Sequence, residues 1–274
     1  LFIITGKLTQ ENHPRSSWKP AQSWPAFILL TIVLLWVLHA LGYFAHEYAH
    51  SFTAWLLGWK ANPLALNYGH LDTANLLIQS DLDENVDYGP IFAAHCGAQA
   101  ALIAVAGVAI GNALVTYAAG RAGFLASKKS NSRGWGMFFY WLCVASAGNM
   151  IAYVPNRTFA GHADMYTVVK GLSCSPWLII IVLGFPFSVA LFHFILRFAP
   201  NALTWFFPAS PGKRVAMVVL TSFAIFGFYG SAGLSGYGTV SHVLATICLT
   251  TLLPLSMAFG FWRTFRPKQT RDTY

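Results

Sequence analysis

The sequence predicts an all-α integral membrane protein with about six transmembrane helices, and three observations carry that prediction. Of 274 residues, 56% are hydrophobic and 9% charged, with a mean hydropathy of +0.53; a soluble domain carries about a quarter charged residues. Continuous apolar runs, most of them matching or exceeding the roughly 20 residues that cross a bilayer, cover 25–57, 90–119, 135–154, 177–198, 214–231 and 239–262. They do not alternate apolar with polar, which argues against a strand barrel. Lysine and arginine lie between and beyond these runs. With the N-terminus cytoplasmic, only Lys60, Arg157 and Lys170 of the 17 fall on the outer side, the bias expected of a multi-pass protein with both termini inside. The net charge of +8 is therefore that of membrane anchors, and no nucleic-acid partner is expected.

In chain order, residues 1–24 form a polar segment expected on the cytoplasmic surface. They lack a charged region followed by a short apolar stretch and a cleavage site, so no signal peptide is expected. The first run, 25–57, is longer than one crossing needs, so it must tilt, bend or project beyond the bilayer. Residues 60–89 hold five acids, Asp72, Asp81, Asp83, Glu84 and Asp87. Without an Asp-x-Asp-x-Asp-Gly pattern this reads as a solvated outer loop and not a calcium site. The second run contains "GVAIG" at 107–111, small residues four apart that let helices pack closely in lipid. Residues 25–175 form one membrane core of three spans. A C-terminal membrane region of about three spans, 176–274, ends in a basic tail. The glycines of "GFYGSAGLSGYG", 227–238, read as a flexible connection, since no lysine follows them as in a phosphate loop. Cys96, Cys143, Cys174 and Cys248 are scattered singly and carry no metal spacing. No internal repeat suggests a transporter.

The chemistry is concentrated in "YFAHEYAHSFTAWLLG", 43–58. Ionisable residues inside an apolar run are costly and mark function by default. His46 and His50, four apart, share one helix face, the spacing at which two imidazoles reach one tetrahedral zinc. Glu47 then takes a proton from metal-bound water and returns it to the leaving amine. His39 lies about 10 Å from His46 along the helix axis, too far to share the metal, and reads as a packing residue. A third ligand must come from elsewhere. The segment 148–169, "GNMIAYVPNRTFAGHADMYTVV", offers His162 and Asp164, and "GPIFAAHCG", 89–97, offers His95. Under the six-span topology all three segments meet at the outer end of the first span. A histidine-rich membrane oxygenase needs more clustered histidines than this one pair and ranks last.

Three pieces together resemble the site-2 protease family of intramembrane zinc metalloproteases. "HEYAHSFTAWLLG" looks like that family's His-Glu-x-x-His helix, "GPIFAAHCGAQAALI" is similar to its Gly/Pro segment, and "NMIAYVPNRTFAGHAD" to its Asn/Pro/Asp motif. They cover about residues 40–170. The last departs from the family in the wider spacing of Asn149 and Asp164 and in Met165 where glycine is usual. The resemblance implies a three-helix metalloprotease-like core with zinc on His46, His50 and Asp164. Glu47 would be general base, Asn149 or Asn156 would orient the scissile carbonyl, and His162 and His95 remain as alternative or supporting groups. The implied function is a zinc-dependent intramembrane endopeptidase acting on membrane-embedded protein segments. The alternative is a catalytically inactive, protease-like membrane subunit that binds a protein or lipid partner.

Overall fold

The computed structural model describes residues 23–234 and 236–266. Most of the polar segment 1–24 and the basic tail beyond Arg266 lie outside the described residues. Among those described, nine helices follow one another: α1 (Trp24–Leu56), α2 (Thr73–Ile78), α3 (Tyr88–Ala93), α4 (Gly97–Lys129), α5 (Arg133–Tyr153), α6 (Ala163–Leu172), α7 (Pro176–Phe206), α8 (Pro211–Gly233) and α9 (Thr239–Phe265). No strand is present among them, only the single bridge between Asn67 and Asp83. Six helices, α1, α4, α5, α7, α8 and α9, are long and apolar enough to cross a membrane. The chain is an all-α, multi-pass membrane protein.

Helix boundaries follow local chemistry. Ser23 caps α1 through its side chain, with proline in the first turn, and Ser175 does the same for α7 ahead of Pro176. Proline is favoured there because the first turn needs no N–H partner and its φ is already helical. The second span starts later than its sequence predicts. The apolar run from residue 90 is broken at His95, whose φ is 59°, so 88–93 fold as the separate α3. The span proper starts at Gly97 and continues past Arg121 to Lys129.

The helix α5 is the centre of the bundle. Of its apolar stretch 83% is buried, against 22% for α7 and α9. Several of its polar residues are buried too, and those that are satisfied find partners inside the protein because lipid offers none. Thus Ser146 donates to Leu142 O at 2.6 Å while its Oγ lies 2.7 Å from Thr116 Oγ1, and the Tyr140 and Thr221 hydroxyls pair at 2.7 Å. α7 and α9 instead turn Phe185, Phe192 and Leu255 outward, as lipid-facing spans do.

The acidic loop between α1 and α3 is not a loosely solvated segment. It doubles back along α1. Trp36 Nε1 donates to Leu76 O at 3.2 Å, and His39 Nε2 pairs with Ile78 O at the same distance. Trp36 lies 20 residues before the end of α1, so the return covers roughly 30 Å of helix axis. Lys60 holds the base of this excursion by donating to the carbonyls of Ala65, Glu84 and Asn85. The consequence for the site is that Leu82 and Glu84, 7% and 8% exposed, line the same cavity as Glu47.

Candidate metal centre

His46, Glu47 and His50 occupy the last third of α1, buried to 1%, 5% and 0% exposure. Two features bring the rest of the centre to them. Gly111 of α4 lies so close to α1 that a Cβ there would sit 2.4 Å from Ala45 O. Only glycine permits that approach, and it brings the π-helical stretch Gly107–Ala118 against the two histidines. From the other side, the turn after α5 delivers Asp164 in the first turn of α6.

The histidine Nδ1 atoms are fixed from behind. Asn112 donates through Nδ2 to Gly42 O at 3.1 Å, which turns its Oδ1 towards His46 Nδ1 at 2.7 Å. An oxygen can only accept, so His46 Nδ1 carries the proton and donates. The partner of His50 Nδ1 is Ile103 O at 2.7 Å, another acceptor, so the same tautomer follows. In the neutral imidazoles both Nε2 atoms then present lone pairs. They converge on Asp164 Oδ2, at 3.1 Å from His46 and 3.4 Å from His50, and the three ligand atoms lie within 4.8 Å of one another. The His46 ring is clamped further by Tyr153, stacked at 4.2 Å between centroids and tilted by 25°.

With both imidazoles neutral these are three acceptors facing each other, an arrangement that a cation between them would satisfy. His50 Nε2 is buried with no hydrogen-bond partner, and the wall opposite is Gly107, where a Cβ would stand 2.2 Å from His50 Nε2 and 2.5 Å from His46 Nε2. The residues fit a metal ion. Two imidazoles and a carboxylate suit zinc with an open position and also ferrous iron. Burial by itself pushes the Asp164 carboxyl upward, but in the absence of a metal the charge of a protonated His50, and then hydrogen bonds from His46 and His50, outweigh it and hold it well below the usual carboxylate range, as a metal cation in place of those protons would. Asp164 is thus ionised and ready to ligate.

Glu47 and Asp164 open onto a cavity of about 350 Å³ whose other walls include Glu84, Tyr88, Tyr153 and Arg157. Burial pushes the Glu84 carboxyl upward, and burial followed by the nearby Glu84 does the same to the Tyr88 hydroxyl. The cavity thus holds groups that retain their protons beside the ionised Asp164.

The other candidates fall elsewhere. His95 is exposed, in the turn before α4. His162 is exposed and stacks on Tyr237 at 4.7 Å. Neither belongs to the His46–His50–Asp164 group. Asn149 is buried but lines a neighbouring cavity, and Asn156 is committed to Gly230 O at 2.7 Å. His39 packs against Tyr229, with Nδ1 accepting from the tyrosine hydroxyl at 2.7 Å. Sequence reasoning missed Asn112, Gly107, Tyr153 and Glu84. Asn112 had a signal, a carboxamide deep in an apolar span, which lipid disfavours unless it has a partner. Glu84 had none, being one acid among five in its loop.

Because Asn112 sets the tautomer of His46, its replacement is expected to weaken the metal without removing a ligand. Asn112→Leu should lower zinc affinity by roughly 10- to 100-fold, the usual effect of losing such a supporting hydrogen bond. Competition against a fluorescent chelator would measure it, and unchanged affinity would show that the hydrogen bond does not orient the ring.

Comparison with protein-family profiles, curated proteins and solved structures gives no match to this chain.

Proposed function

We propose that the chain is a zinc-dependent intramembrane endopeptidase of the kind that the site-2 protease family represents, cutting membrane-embedded segments of other proteins. The observation that carries this reading is the convergence of two imidazole nitrogens and a carboxylate oxygen beside a buried glutamate, on helices that belong to a membrane bundle. Zinc supplies Lewis acidity: it polarises a carbonyl and acidifies water. The chain's residues supply the rest. His46, His50 and Asp164 hold the ion. Glu47, on the same turn of α1 as His46, accepts the water's proton and passes it to the leaving amine nitrogen, so the peptide C–N bond breaks as the new C–O bond forms and no charge is left stranded. The presence of a base at Glu47 favours hydrolysis over redox use of the same donor set. Glu84 and Tyr88, from the returning loop, close the cavity from the outer end and limit access of bulk water.

A transmembrane substrate hides its scissile carbonyl in helical hydrogen bonds, so it must unwind before it is cut. Small or polar residues in the substrate ease that step. Orientation follows from charge: we place both termini in the cytoplasm and the metal centre near the opposite face.

Zinc content of the detergent-purified protein tests this reading. About one zinc per chain is expected by mass spectrometry, with loss of most of it in His46→Ala and in Asp164→Ala. Zinc that survives Asp164→Ala would remove Asp164 from the ligand set. Zinc without hydrolysis of any membrane segment supplied would favour a subunit that binds a partner.

A further inference from the structure

A second cavity, of about 330 Å³, adjoins the first, and Tyr153 and Arg157 line both. The two differ in character. The first is walled by Glu47, Asp83, Glu84 and Asp164, whereas among the described residues no carboxylate lines the second. Its polar wall joins several hydroxyls, His39, Asn149 and Arg157, and the last two each carry a donor with nothing to donate to. Asn149 is 2% exposed with Nδ2 unpartnered, and Arg157 Nε is buried and unpartnered as well. Among the described residues no carboxylate makes a salt bridge with Arg157. Its guanidinium lies instead between two rings, 4.9 Å from the centroid of Tyr153 and 4.7 Å from that of Tyr237. His39 and Tyr229, on the same cavity, already satisfy each other. Buried donors are seldom left open in a folded protein, and those that are call for a partner.

We propose that this cavity is a carboxylate subsite, taking the side chain of an aspartate or glutamate close to the bond that is cut. A guanidinium offers a planar fork that matches a carboxylate, and the amide of Asn149 adds a further donor. The cavity lies at the lower end of the size range of ligand pockets, enough for one or two side chains. Its continuity with the metal cavity favours a substrate segment over a lipid. A chain whose carbonyl lies by Glu47 and Asp164 passes over Tyr153 with its neighbouring side chain directed to Arg157. The role in substrate choice rests on the endopeptidase reading, but binding of the carboxylate does not require the metal.

The experiment uses the full chain in detergent with N-acetyl-glutamic acid N-methylamide and its glutamine counterpart as probes, read by calorimetry. The acidic probe should bind roughly 10- to 100-fold more tightly than the neutral one, the effect of hydrogen bonds to a charged group. That preference should persist in metal-free His46→Ala, vanish in Arg157→Gln and partly survive in Arg157→Lys, which shows that the pocket is still folded. Equal affinities in the wild type, or an undiminished preference in Arg157→Gln, would overturn the proposal. A preference lost in His46→Ala would assign the carboxylate to the metal, ending the subsite but not the protease. Absence of zinc and of cleavage with the preference intact would do the reverse. Dioctanoyl phosphatidylglycerol that binds through Arg157 while the acidic probe does not would assign the cavity to a headgroup and overturn the proposal too.

Discussion

Gly107→Ala is expected to abolish zinc binding at the proposed metal centre while leaving the helices in place. The added Cβ would lie 2.2 Å from His50 Nε2, 2.5 Å from His46 Nε2 and 2.6 Å from His46 Cε1, inside van der Waals contact with both ligands. Neither ring has room to retreat. Swinging His46 aside breaks its bond to Asn112 and its stack on Tyr153, and moving His50 breaks the bond to Ile103 O. Such buried hydrogen bonds cost about 1–3 kcal/mol each when one partner is left unmet. The methyl also fills the space in which the Nε2 lone pairs converge. Zinc affinity should therefore fall at least ~100-fold, as for the loss of more than one supporting contact. Alanine gains about 1 kcal/mol over glycine in helix propensity, so helicity by circular dichroism should not fall in proportion. A Gly107→Ala protein that still carries one zinc per chain would show that the ion does not sit between these two nitrogens.

The second large effect is expected at Glu47. Glu47→Gln keeps the shape of the side chain and removes its basicity. Since Glu47 is outside the His46–His50–Asp164 group, zinc content should stay near that of the wild type. Hydrolysis should drop by roughly 100- to 10,000-fold, the range for loss of general acid–base catalysis. Turnover of a reconstituted single-span substrate, measured beside zinc content on the same sample, separates the two effects. Substantial residual activity would move the base to a loop carboxylate on the same cavity, Glu84 or Asp83. Zinc lost along with activity would make Glu47 a ligand.

How far the sequence reaches is clear from these residues. The spans were legible because lipid imposes a one-dimensional rule: about 20 apolar residues, with charges at the ends. The interruption at His95 was not, because it depends on a local backbone turn within an apolar run. His46, Glu47 and His50 were legible because a helix repeats at a fixed period, so ligands four apart share a face whatever surrounds them. Asp164 entered as one of several candidates, and distance is what sets it apart from His162 and His95: its Oδ2 lies 3.1 Å and 3.4 Å from the two histidines. The acidic loop read as solvated because composition does not reveal that Trp36 and His39 draw it back along α1.

The sequence by itself determined a helical bundle in a membrane and the pair of histidines on one turn, both consequences of periodicity and of solvent exclusion along a single segment. Only the tertiary structure decided the remainder: that Asn112 orients His46, that Gly107 leaves space where the nitrogens meet, that Glu84 faces Glu47 across a cavity, and that Arg157 and Asn149 open onto a second one. These depend on contacts between residues tens of positions apart, and which of them form is settled when the helices pack.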